Sequence, residues 1–528
     1  MVTDDQRAVA EFLESPDAHQ GETVKRIDTH SAVVFLAGTR AWKLKRAVRY
    51  DYLDFSTLER RRSACEREVR LNVPAAPGIY RGVVPVVRRA DGSLAIGGPG
   101  DAVDWLVEMN RFDDDQLFDR LAARNQLDLA LMRPLAAAIA HFHANAEPRP
   151  DHGGTAGMTW VVNGNAEGLA EFGSFLDAPT CRRVTDESLA AIDVCAALLE
   201  TRRAAGLVRQ CHGDLHLRNI VLLDARPTLF DAIEFNDEIA CTDVLYDLAF
   251  LLMDLSRRRL PRHANAVWNG YLGETGGLSG LRLLPLFLSC RAAVRAKTSA
   301  TAARLQADSG SRTELERTAR SYLTLASQFL HPPPPSMVAI GGFSGTGKST
   351  LAAALAAGIG APPGAVVLRS DEVRKRLCGV SPLDRLGPDG YTSEVSRRVY
   401  AALTAQAAAV VHAGYAAITE AVFARAADRH AVEQAAADAG VPFHGLWLDA
   451  PERVLVERLQ HRGADASDAD AGVLRLQTAH GAGQMTWQRL DASASADVVL
   501  ENAASRIGLP SPLPDGQLAA DGRSRQSS

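Results

Sequence analysis

The chain has 528 residues, of which 46% are hydrophobic and 23% are charged, and this balance excludes wholesale disorder. Its 58 Lys and Arg against 63 Asp and Glu give a net charge of −5, which provides no general attraction to nucleic acid or anionic membrane. The seven cysteines form no CxxC pair, no apolar run approaches the roughly 18 residues of a membrane span, and the N-terminus lacks a signal-peptide pattern. We therefore expect a cytoplasmic protein with small-molecule partners and no membrane or nucleic-acid partner. The composition does not indicate an oligomeric state.

Residues 1–330 begin with short strands and continue with helices. VVFLAG and AWKLK are typical of strands, RRRSACEREVRLN of a helix, and GVVPVVRR and AVDWLVEMNRF of further strands. From about residue 115 the periodicity is mainly helical, as in LDLALMRPLAAAIAHFHANA. This order predicts an α+β domain with two lobes, a small strand-rich one and a larger helical one.

The segment CHGDLHLRNI, residues 211–220, has the spacing of a kinase catalytic loop. In the pattern H-x-D-x-x-x-x-N, Asp214 would accept the proton of a substrate hydroxyl and Asn219 would hold Mg²⁺. Twelve residues after Asn219, the apolar segment PTLFDAIEF carries Asp231, which is placed like a second metal-binding group. The three residues predict phosphoryl transfer, because that reaction depends on positioning and on neutralising charge.

Residues upstream of this loop are candidates for nucleotide binding. Lys43 in AWKLK is predicted to lie on a strand and to pair with phosphates, and Lys45, on the same strand face, is the alternative. A glutamate of the helix CEREVRLN would hold the lysine, and both Glu66 and Glu68 remain open for this role.

These features resemble the aminoglycoside phosphotransferase and choline kinase branch of the protein-kinase-like fold. The resemblance covers about residues 22–325 through HGDLHLRNI, LFDAIEF, AHFHANA with His143, and DVLYDLAFL with Asp247. It implies ATP and Mg²⁺ as cofactors, and it implies that Asp247 braces the catalytic loop. The first hairpin, RIDTHSAVVFLAG, departs from the protein-kinase pattern because it has no GxGxxG, so nucleotide contacts there are expected from the backbone or from Ser31.

The same resemblance implies a hinge between the two lobes. In DWLVEMNRF, residues 105–112 occupy the place of that hinge. The backbone of Glu108 and Met109 would then meet the adenine.

The proline run HPPPPS, residues 331–336, is the predicted linker, because such a run forms a stiff extended spacer. Beyond it, the apolar segments MVAI, AVVLR, AAIT and HGLWL alternate with helical sequence and predict an α/β domain with a parallel sheet over 337–501. Residues 502–528 lack apolar periodicity and are predicted to be disordered. We expect the two domains to fold and to work separately.

The segment GGFSGTGKST matches the Walker A pattern, with a strand before it and a helix after it. The glycines let backbone N–H groups surround phosphate oxygens, Lys348 would reach the β- and γ-phosphates, and Ser349 would bind Mg²⁺. The predicted nucleotide-binding residues here are Gly342, Ser344, Gly345, Thr346, Gly347, Lys348, Ser349 and Thr350.

Two carboxylates follow the next predicted strands of this domain. Asp371 in RSDEVRKRL suits a base or an orienting group for an acceptor hydroxyl, and Glu420 in AAITEAVF suits metal binding, because the carboxyl ends of parallel strands form the ligand crevice. A helix-capping role for Asp371 stays open. In APERVLVERLQHRG, Arg458 and Arg462 lie four residues apart and either close over the transferred phosphoryl group or are solvated.

The second domain resembles the small P-loop kinases typified by gluconate kinase, shikimate kinase and the kinases related to zeta toxins, although relatives commonly have Asp-Ala at Glu420-Ala421. No AAA-type second region or sensor pattern follows, which favours a phosphotransferase over a mechanical ATPase. The whole chain resembles bacterial proteins described as fused aminoglycoside phosphotransferase family and ATP-binding proteins. We therefore predict a bifunctional kinase that acts on hydroxyl groups of a sugar, aminosugar, polyol or nucleoside. A nucleic-acid 5′-hydroxyl kinase and a nucleotide-sensing regulator with one catalytic site are the alternatives.

Overall fold

The computed structural model describes residues 5–50, 52–381, 384–461 and 466–509. Its contacts divide the chain into two compact units, each built from two stretches of sequence. The first unit contains residues 1–254 and 290–320, and the second contains residues 255–289 and 321–528. In the part of the chain that is described, no helix is both long and apolar enough to cross a membrane.

The first unit begins with a six-stranded antiparallel sheet in the order β1-β2-β3-β8-β6-β7. Alternating residues of its central strands, including Val33, Phe35 and Leu44, face a core that also holds Val9 and Leu13 of the first helix. The strands of this unit are β1 Val24–Asp28, β2 Ala32–Ala37, β3 Arg40–Lys45, β4 Arg49–Tyr50, β5 Leu53–Asp54, β6 Tyr80–Arg88, β7 Leu94–Ile96, β8 Asp101–Asn110, β9 Val208–Gln210, β10 Ile220–Leu223, β11 Arg226–Leu229 and β12 Cys241–Asp243.

The helices after residue 115 follow the order that the sequence predicts. Before that point, a short helix, Arg7–Glu14, precedes the strands, and one long helix lies inside the strand-rich part. Thr57 begins that long helix, because its side-chain oxygen accepts a hydrogen bond from the N–H of Arg60 at 3.3 Å. The helices up to the linker are α1 Arg7–Glu14, α2 Leu58–Asn72, α3 Phe118–Ala123, α4 Met132–Asn145, α5 Gly154–Ala170, α6 Ala178–Ala204, α7 Asp237–Ala240, α8 Val244–Arg257, α9 Pro261–Thr275, α10 Leu284–Leu305 and α11 Ser309–Phe329.

The second unit is built on a five-stranded parallel sheet in the order β14-β15-β13-β16-β17. All six residues of β13 are buried, as expected for a central strand that is covered on both faces. The strands are β13 Met337–Gly342, β14 Val366–Arg369, β15 Ala417–Glu420, β16 Phe443–Asp449 and β17 Gln488–Asp491. The helices after the linker are α12 Lys348–Ala356, α13 Ser370–Leu377, α14 Ser393–His412, α15 Ala426–Asp438, α16 Glu452–Gln460, α17 Ala471–His480 and α18 Ala496–Arg506.

The last helix continues past residue 501, where the disordered tail was predicted to begin. Val499, Ala503 and Ala504 of α18 are buried in the core of the parallel sheet, so that residues 502–506 belong to the folded unit. The rest of the predicted tail, residues 510–528, lies outside the described residues.

Helix α9 precedes the proline run in sequence but packs within the second unit. Asn265 Nδ2 donates to the carbonyl oxygens of Pro363 and Ala365, both at 3.1 Å. Asn269 Nδ2 donates to the carbonyl of Ala365 at 3.1 Å, and its Oδ1 accepts the N–H of Val367 at 2.7 Å. These two side chains provide hydrogen-bond partners for backbone groups at the outer edge of β14. The other edge of β14 pairs with β15. The domain boundary that the sequence predicts near residue 335 therefore does not coincide with the division of the chain into compact units.

Replacing Asn269 by Leu should destabilise the second unit by about 1–3 kcal/mol, because it leaves the N–H of Val367 without its acceptor. Unfolding in urea, followed by tryptophan fluorescence, measures this difference. Asn502→Leu is the control, since Asn502 is exposed on α18 of the same unit. Equal stabilities of the two variants would show that α9 contributes nothing to this edge.

Candidate functional sites

The first site is centred on two lysines of β3 and one glutamate of α2. Lys43 Nζ donates to Glu68 Oε1 at 2.9 Å, and Lys45 Nζ donates to Glu68 Oε2 at 2.5 Å. Lys43 also reaches Asp231 Oδ1 at 2.6 Å, and Lys45 pairs with Glu234. The lysines share one strand face because they are two residues apart, and Glu68 bridges them with one oxygen each.

The structure decides between the two glutamates that the sequence left open. Glu68 is fully buried, whereas Glu66 forms an exposed pair with Arg62 at 2.9 Å on the outer face of α2. Residues two apart on a helix point to nearly opposite sides, so only one of them can face β3. The buried residues of this helix include Arg61, Cys65 and Glu68, whose spacings of four and three place them on one face.

The charges of this cluster stabilise one another away from water. Burial by itself would lower the pKa of Lys43, but the carboxylates of Asp231, Glu68 and Glu234 outweigh it and hold the pKa well above its ordinary value. Burial would raise the pKa of Glu68, yet the two lysines lower it to about 2. Burial raises the pKa of Glu234. Lys43 and Glu68 are therefore both charged near neutral pH.

Replacing Lys45 by Met should destabilise the first unit by about 3–5 kcal/mol, because it leaves the buried carboxylate of Glu234 without its cation. Adding Glu234→Gln should recover part of the loss. Arg62→Met is the control, since it breaks an exposed pair and should cost about 0.5 kcal/mol or less. Urea unfolding measures all four proteins, and equal losses for Lys45→Met and Arg62→Met would contradict the buried pair.

The catalytic loop brings Asp214 and Asn219 together as the spacing predicts. Asn219 Nδ2 donates to the carbonyl oxygen of Asp214 at 2.9 Å and to its Oδ2 at 3.0 Å. His216, which the sequence analysis did not single out, places Nε2 at 3.3 Å from the same Oδ2. The pKa of Asp214 is held below its ordinary value, because His216 and Arg295 outweigh the opposing effect of burial. The Asp214 carboxylate is therefore ionised and fixed in orientation, with 37% of the side chain exposed.

Asp231 follows β11 with a backbone φ of 64°, a left-handed conformation that Asp tolerates better than most residues. Its N–H donates to the hydroxyl oxygen of Tyr80 at 3.1 Å, which holds this turn against the strand-rich lobe. The Asp231 side chain is 43% exposed, so its carboxylate remains accessible while it contacts Lys43.

Asp247 of α8 supports the catalytic loop through hydrogen bonds to the loop backbone. Its carboxylate accepts the N–H groups of His212 at 3.2 Å and Gly213 at 2.8 Å, and it lies 3.1 Å from His143 Nε2. The same carboxylate is completely buried. The Asp247 carboxylate therefore contacts both the backbone of the catalytic loop and the side chain of His143, in the bracing position that the resemblance implies.

The hinge residues are placed differently from the prediction. Glu108 and Met109 lie inside β8, with Met109 flanked by Ala41 of β3 and Tyr80 of β6. Both residues have a pairing partner on each side, so their peptide groups are directed at β3 and β6 rather than at an adenine. The chain leaves the sheet only after Asn110.

The second site is the loop between β13 and α12. Gly342 has φ of 146°, and a Cβ there would lie 2.7 Å from the carbonyl oxygen of Leu448, so the close turn requires glycine. Lys348 begins α12 and its Nζ donates to the carbonyl of Phe343 at 3.0 Å. The N–H of Ser344 donates to Gln477 Oε1 of α17 at 2.9 Å. The sequence analysis did not identify Gln477. Its side-chain oxygen accepts a hydrogen bond from a loop N–H of the kind that binds phosphate oxygens.

The remaining residues of the Walker A segment surround this turn. Gly345 and Gly347 both have φ of 86°, a left-handed conformation suited to glycine. Thr346 is buried and its Oγ1 donates to the carbonyl of Phe343 at 2.8 Å, whereas Thr350 is exposed on the first turn of α12. Thr346 therefore stabilises the loop itself.

The predicted metal-binding residues of the second site are in contact. Ser349 Oγ lies 3.1 Å from Glu420 Oε2 at the carboxyl end of β15. Arg369, at the end of β14, donates from Nε to Glu420 Oε2 at 3.0 Å and from one terminal nitrogen to Ser349 Oγ at 3.1 Å. Sequence patterns gave no indication of this arginine, because its contacts are with residues far along the chain.

Asp371 lies in the first turn of α13, close to the charges of the P-loop. Burial raises the pKa of Asp371 and Glu420 raises it further, against the effects of Ser467, Lys348 and Arg369. Helix α13 has no side-chain cap, so the alternative role of Asp371 as the helix cap is wrong. A carboxylate whose pKa is raised beside a phosphate-binding lysine suits proton acceptance.

The two predicted arginines of the second site have different outcomes. Arg458 is half-buried on α16, and Arg462 lies outside the described residues. The proposed closure of both guanidinium groups over a phosphoryl group therefore stays a prediction.

Both sites have donor sets that suit Mg²⁺, which prefers oxygen ligands from a few carboxylates. Asp231 and the amide oxygen of Asn219 would hold it in the first site, because the amide nitrogen is already used by Asp214. Ser349 Oγ and Glu420 would hold it in the second site.

Two family models match the chain. The phosphotransferase enzyme family matches residues 62–284, and a family described as AAA domain matches residues 337–482. No AAA-type second region or sensor pattern is apparent in the sequence after the P-loop, which favours a phosphotransferase over a mechanical ATPase. The chain is 30% identical over 491 residues to an uncharacterized protein of Mycobacterium tuberculosis (strain ATCC 25618 / H37Rv), which is 90% of this chain and 94% of that protein.

Solved structures resemble each part at low identity. A sugar kinase from Janibacter sp. HTCC2649 is 20% identical with a TM-score of 0.26, and the match covers 33% of this chain and 96% of that one. A choline/ethanolamine kinase family protein from Mesorhizobium loti is 13% identical with a TM-score of 0.35, over 62% of this chain and 100% of that one.

The family matches and the two sites together define an ATP-dependent phosphotransferase that joins a phosphotransferase-family kinase domain to a P-loop domain. This confirms the resemblance that the sequence motifs indicate. The chain belongs to the same family as the uncharacterized mycobacterial protein, which it matches over nearly its whole length.

Proposed function

We propose that the protein is a bifunctional ATP- and Mg²⁺-dependent kinase, with one catalytic site in each unit, and that both sites phosphorylate hydroxyl groups of small polar molecules. The observation that carries the proposal is that each unit contains its own lysine, acceptor carboxylate and metal-type oxygen ligands. A sugar, aminosugar, polyol or nucleoside is the acceptor class.

In the first site, Asp214 accepts the proton of the acceptor hydroxyl at its carboxylate. Asn219 and His216 fix that carboxylate in place, and Asp247 fixes the loop that carries it. Lys43, held by Glu68, positions the phosphate oxygens of ATP. When bound, Mg²⁺ neutralises charge on those oxygens.

In the second site, the P-loop N–H groups and Lys348 hold the phosphates at the start of α12. Asp371 accepts the acceptor proton beside them. Three residues after Asp371, the buried Arg374 places its guanidinium carbon 4.8 Å from the ring centre of the exposed Tyr391. We propose that the exposed Tyr391 ring borders the acceptor and that Arg374 holds this ring in place.

Incubation of the full chain with γ-labelled ATP and a mixture of sugars, aminosugars, polyols and nucleosides tests the proposal. We expect label in at least one organic product. Label that appears only in inorganic phosphate would overturn the proposal in favour of an ATPase or a nucleotide-sensing switch.

A further inference from the structure

We propose that Arg369 is a built-in counter-cation of the P-loop site that competes with Mg²⁺ for Ser349 and Glu420, and so sets how tightly the second site binds the metal. This inference rests on the proposed function of the second unit as a Mg²⁺-dependent kinase. It assigns to Arg369 a role in metal binding that the Walker A pattern does not contain.

The contacts place the guanidinium on the same two oxygens that would hold the metal. Arg369 bonds Glu420 Oε2 at 3.0 Å and Ser349 Oγ at 3.1 Å, while Ser349 and Glu420 are themselves 3.1 Å apart. A metal bound at Ser349 Oγ would lie about 2.1 Å from that oxygen. The ion and the guanidinium would then be adjacent positive charges, so the two cations exclude each other.

Burial makes a cation at this place necessary. The side chain of Glu420 is 6% exposed and that of Arg369 is 13% exposed, so water screens neither charge well. A buried carboxylate without a partner is costly, and Arg369 is the cation that pairs with Glu420. A metal that displaces Arg369 therefore exchanges one cation for another, and this exchange makes the net free energy of metal binding less favourable.

A second carboxylate can retain the arginine once it is displaced. Glu372 Oε1 accepts a hydrogen bond from the other terminal nitrogen of Arg369 at 3.2 Å, three residues further along the chain. Arg369 can thus leave Glu420 and keep an ionic partner. The structure therefore contains both the competing cation, Arg369, and a carboxylate, Glu372, that can pair with it after displacement.

The test measures cation binding directly in the nucleotide-free full-length protein. Mn²⁺ is titrated and the free ion is counted by electron paramagnetic resonance, and binding that disappears in Glu420→Gln is assigned to the second site. We expect Arg369→Gln to bind Mn²⁺ at this site about tenfold more tightly than the wild type, because a charge-assisted contact no longer has to be broken. Arg489→Gln is the control, since it removes an exposed arginine of the edge strand β17 that pairs with Asp449 of β16.

Unchanged or weaker Mn²⁺ binding in Arg369→Gln would overturn the inference. If thermal unfolding shows that this variant is not folded, Arg369→Lys decides, because lysine keeps the charge but cannot span both oxygens as a fork does. We expect its Mn²⁺ affinity to lie above that of the wild type, and an affinity equal to or below the wild type would also overturn the inference. In a background in which Lys43→Ala disables the first site, nucleotide binding that is insensitive to Lys348→Ala would instead contradict the proposed function of the P-loop site.

Discussion

Replacing Asp214 by Asn should lower the rate of phosphoryl transfer at the first site by about 10²–10⁴-fold while the fold is retained. The amide keeps the size of the side chain and its contact with Asn219, but it can no longer accept the proton of the acceptor hydroxyl. Turnover is measured with Lys348→Ala already present, so that only the first site contributes. The far-ultraviolet circular dichroism spectrum and the unfolding curve should match those of the parent protein.

The matched control for this prediction is Asp101→Asn, which makes the same chemical change at an exposed position of β8. Its rate should stay within about twofold of the parent, since surface substitutions are usually neutral. Equal rates for Asp214→Asn and Asp101→Asn would show that Asp214 is not the base. A fall in stability of Asp214→Asn together with its rate would indicate a structural role instead.

Replacing Lys348 by Ala should lower transfer at the second site by at least ~10³-fold, because a fixed positive charge on the transferred phosphoryl group is lost. Lys348 is buried at the start of α12, beside the loop that surrounds the phosphates. The measurement uses Asp214→Asn as its background, so that the first site does not contribute.

Arg453→Ala is the control for the second site, because it removes an exposed cation from α16 of the same unit. Its activity should be close to that of the background protein. Full transfer activity in the Lys348→Ala protein would mean that the P-loop only binds nucleotide, or that it does not bind it at all.

The sequence predicts those parts of the sites in which local spacing determines the backbone. The five-residue interval between Asp214 and Asn219 lets the amide of one contact the carboxylate of the other, and the structure has this contact. The Walker A segment likewise specifies its own turn through glycines with positive φ. Such contacts lie within ten residues, so that one motif contains all their partners.

Partners that lie far apart in sequence could not be predicted in this way. Glu234 is 189 residues from Lys45, and Arg369 is 51 residues from Glu420, so no short motif contains either pair. The choice between Glu66 and Glu68 depends in the same way on which face of α2 meets β3, and that face is given by the fold. The strand β8 continues through Glu108 and Met109 because both of its edges have partners, which a propensity pattern does not reveal.

The position of α9 shows the same limit at the level of domains. The proline run predicts a boundary near residue 335, which lies between the end of one family match at residue 284 and the start of the other at residue 337. However, the asparagines of α9 satisfy the edge of β14 nearly a hundred residues later, through side-chain contacts with backbone atoms. A fragment that begins at residue 336 would lack this helix, so we expect it to be less stable than the same residues in the full chain.

The central claim is that the chain contains two kinase sites that act independently, and comparison of four full-length proteins tests it most directly. Transfer of label from γ-labelled ATP is measured for the wild type, Asp214→Asn, Lys348→Ala and the double variant, with the acceptor mixture described above. We expect each single variant to lose a different labelled organic product and to keep the other, and the double variant to lose both. Loss of every labelled product in both single variants would contradict the account and would indicate one composite active site, whereas retention of a product in the double variant would show that the catalytic residues have been assigned wrongly.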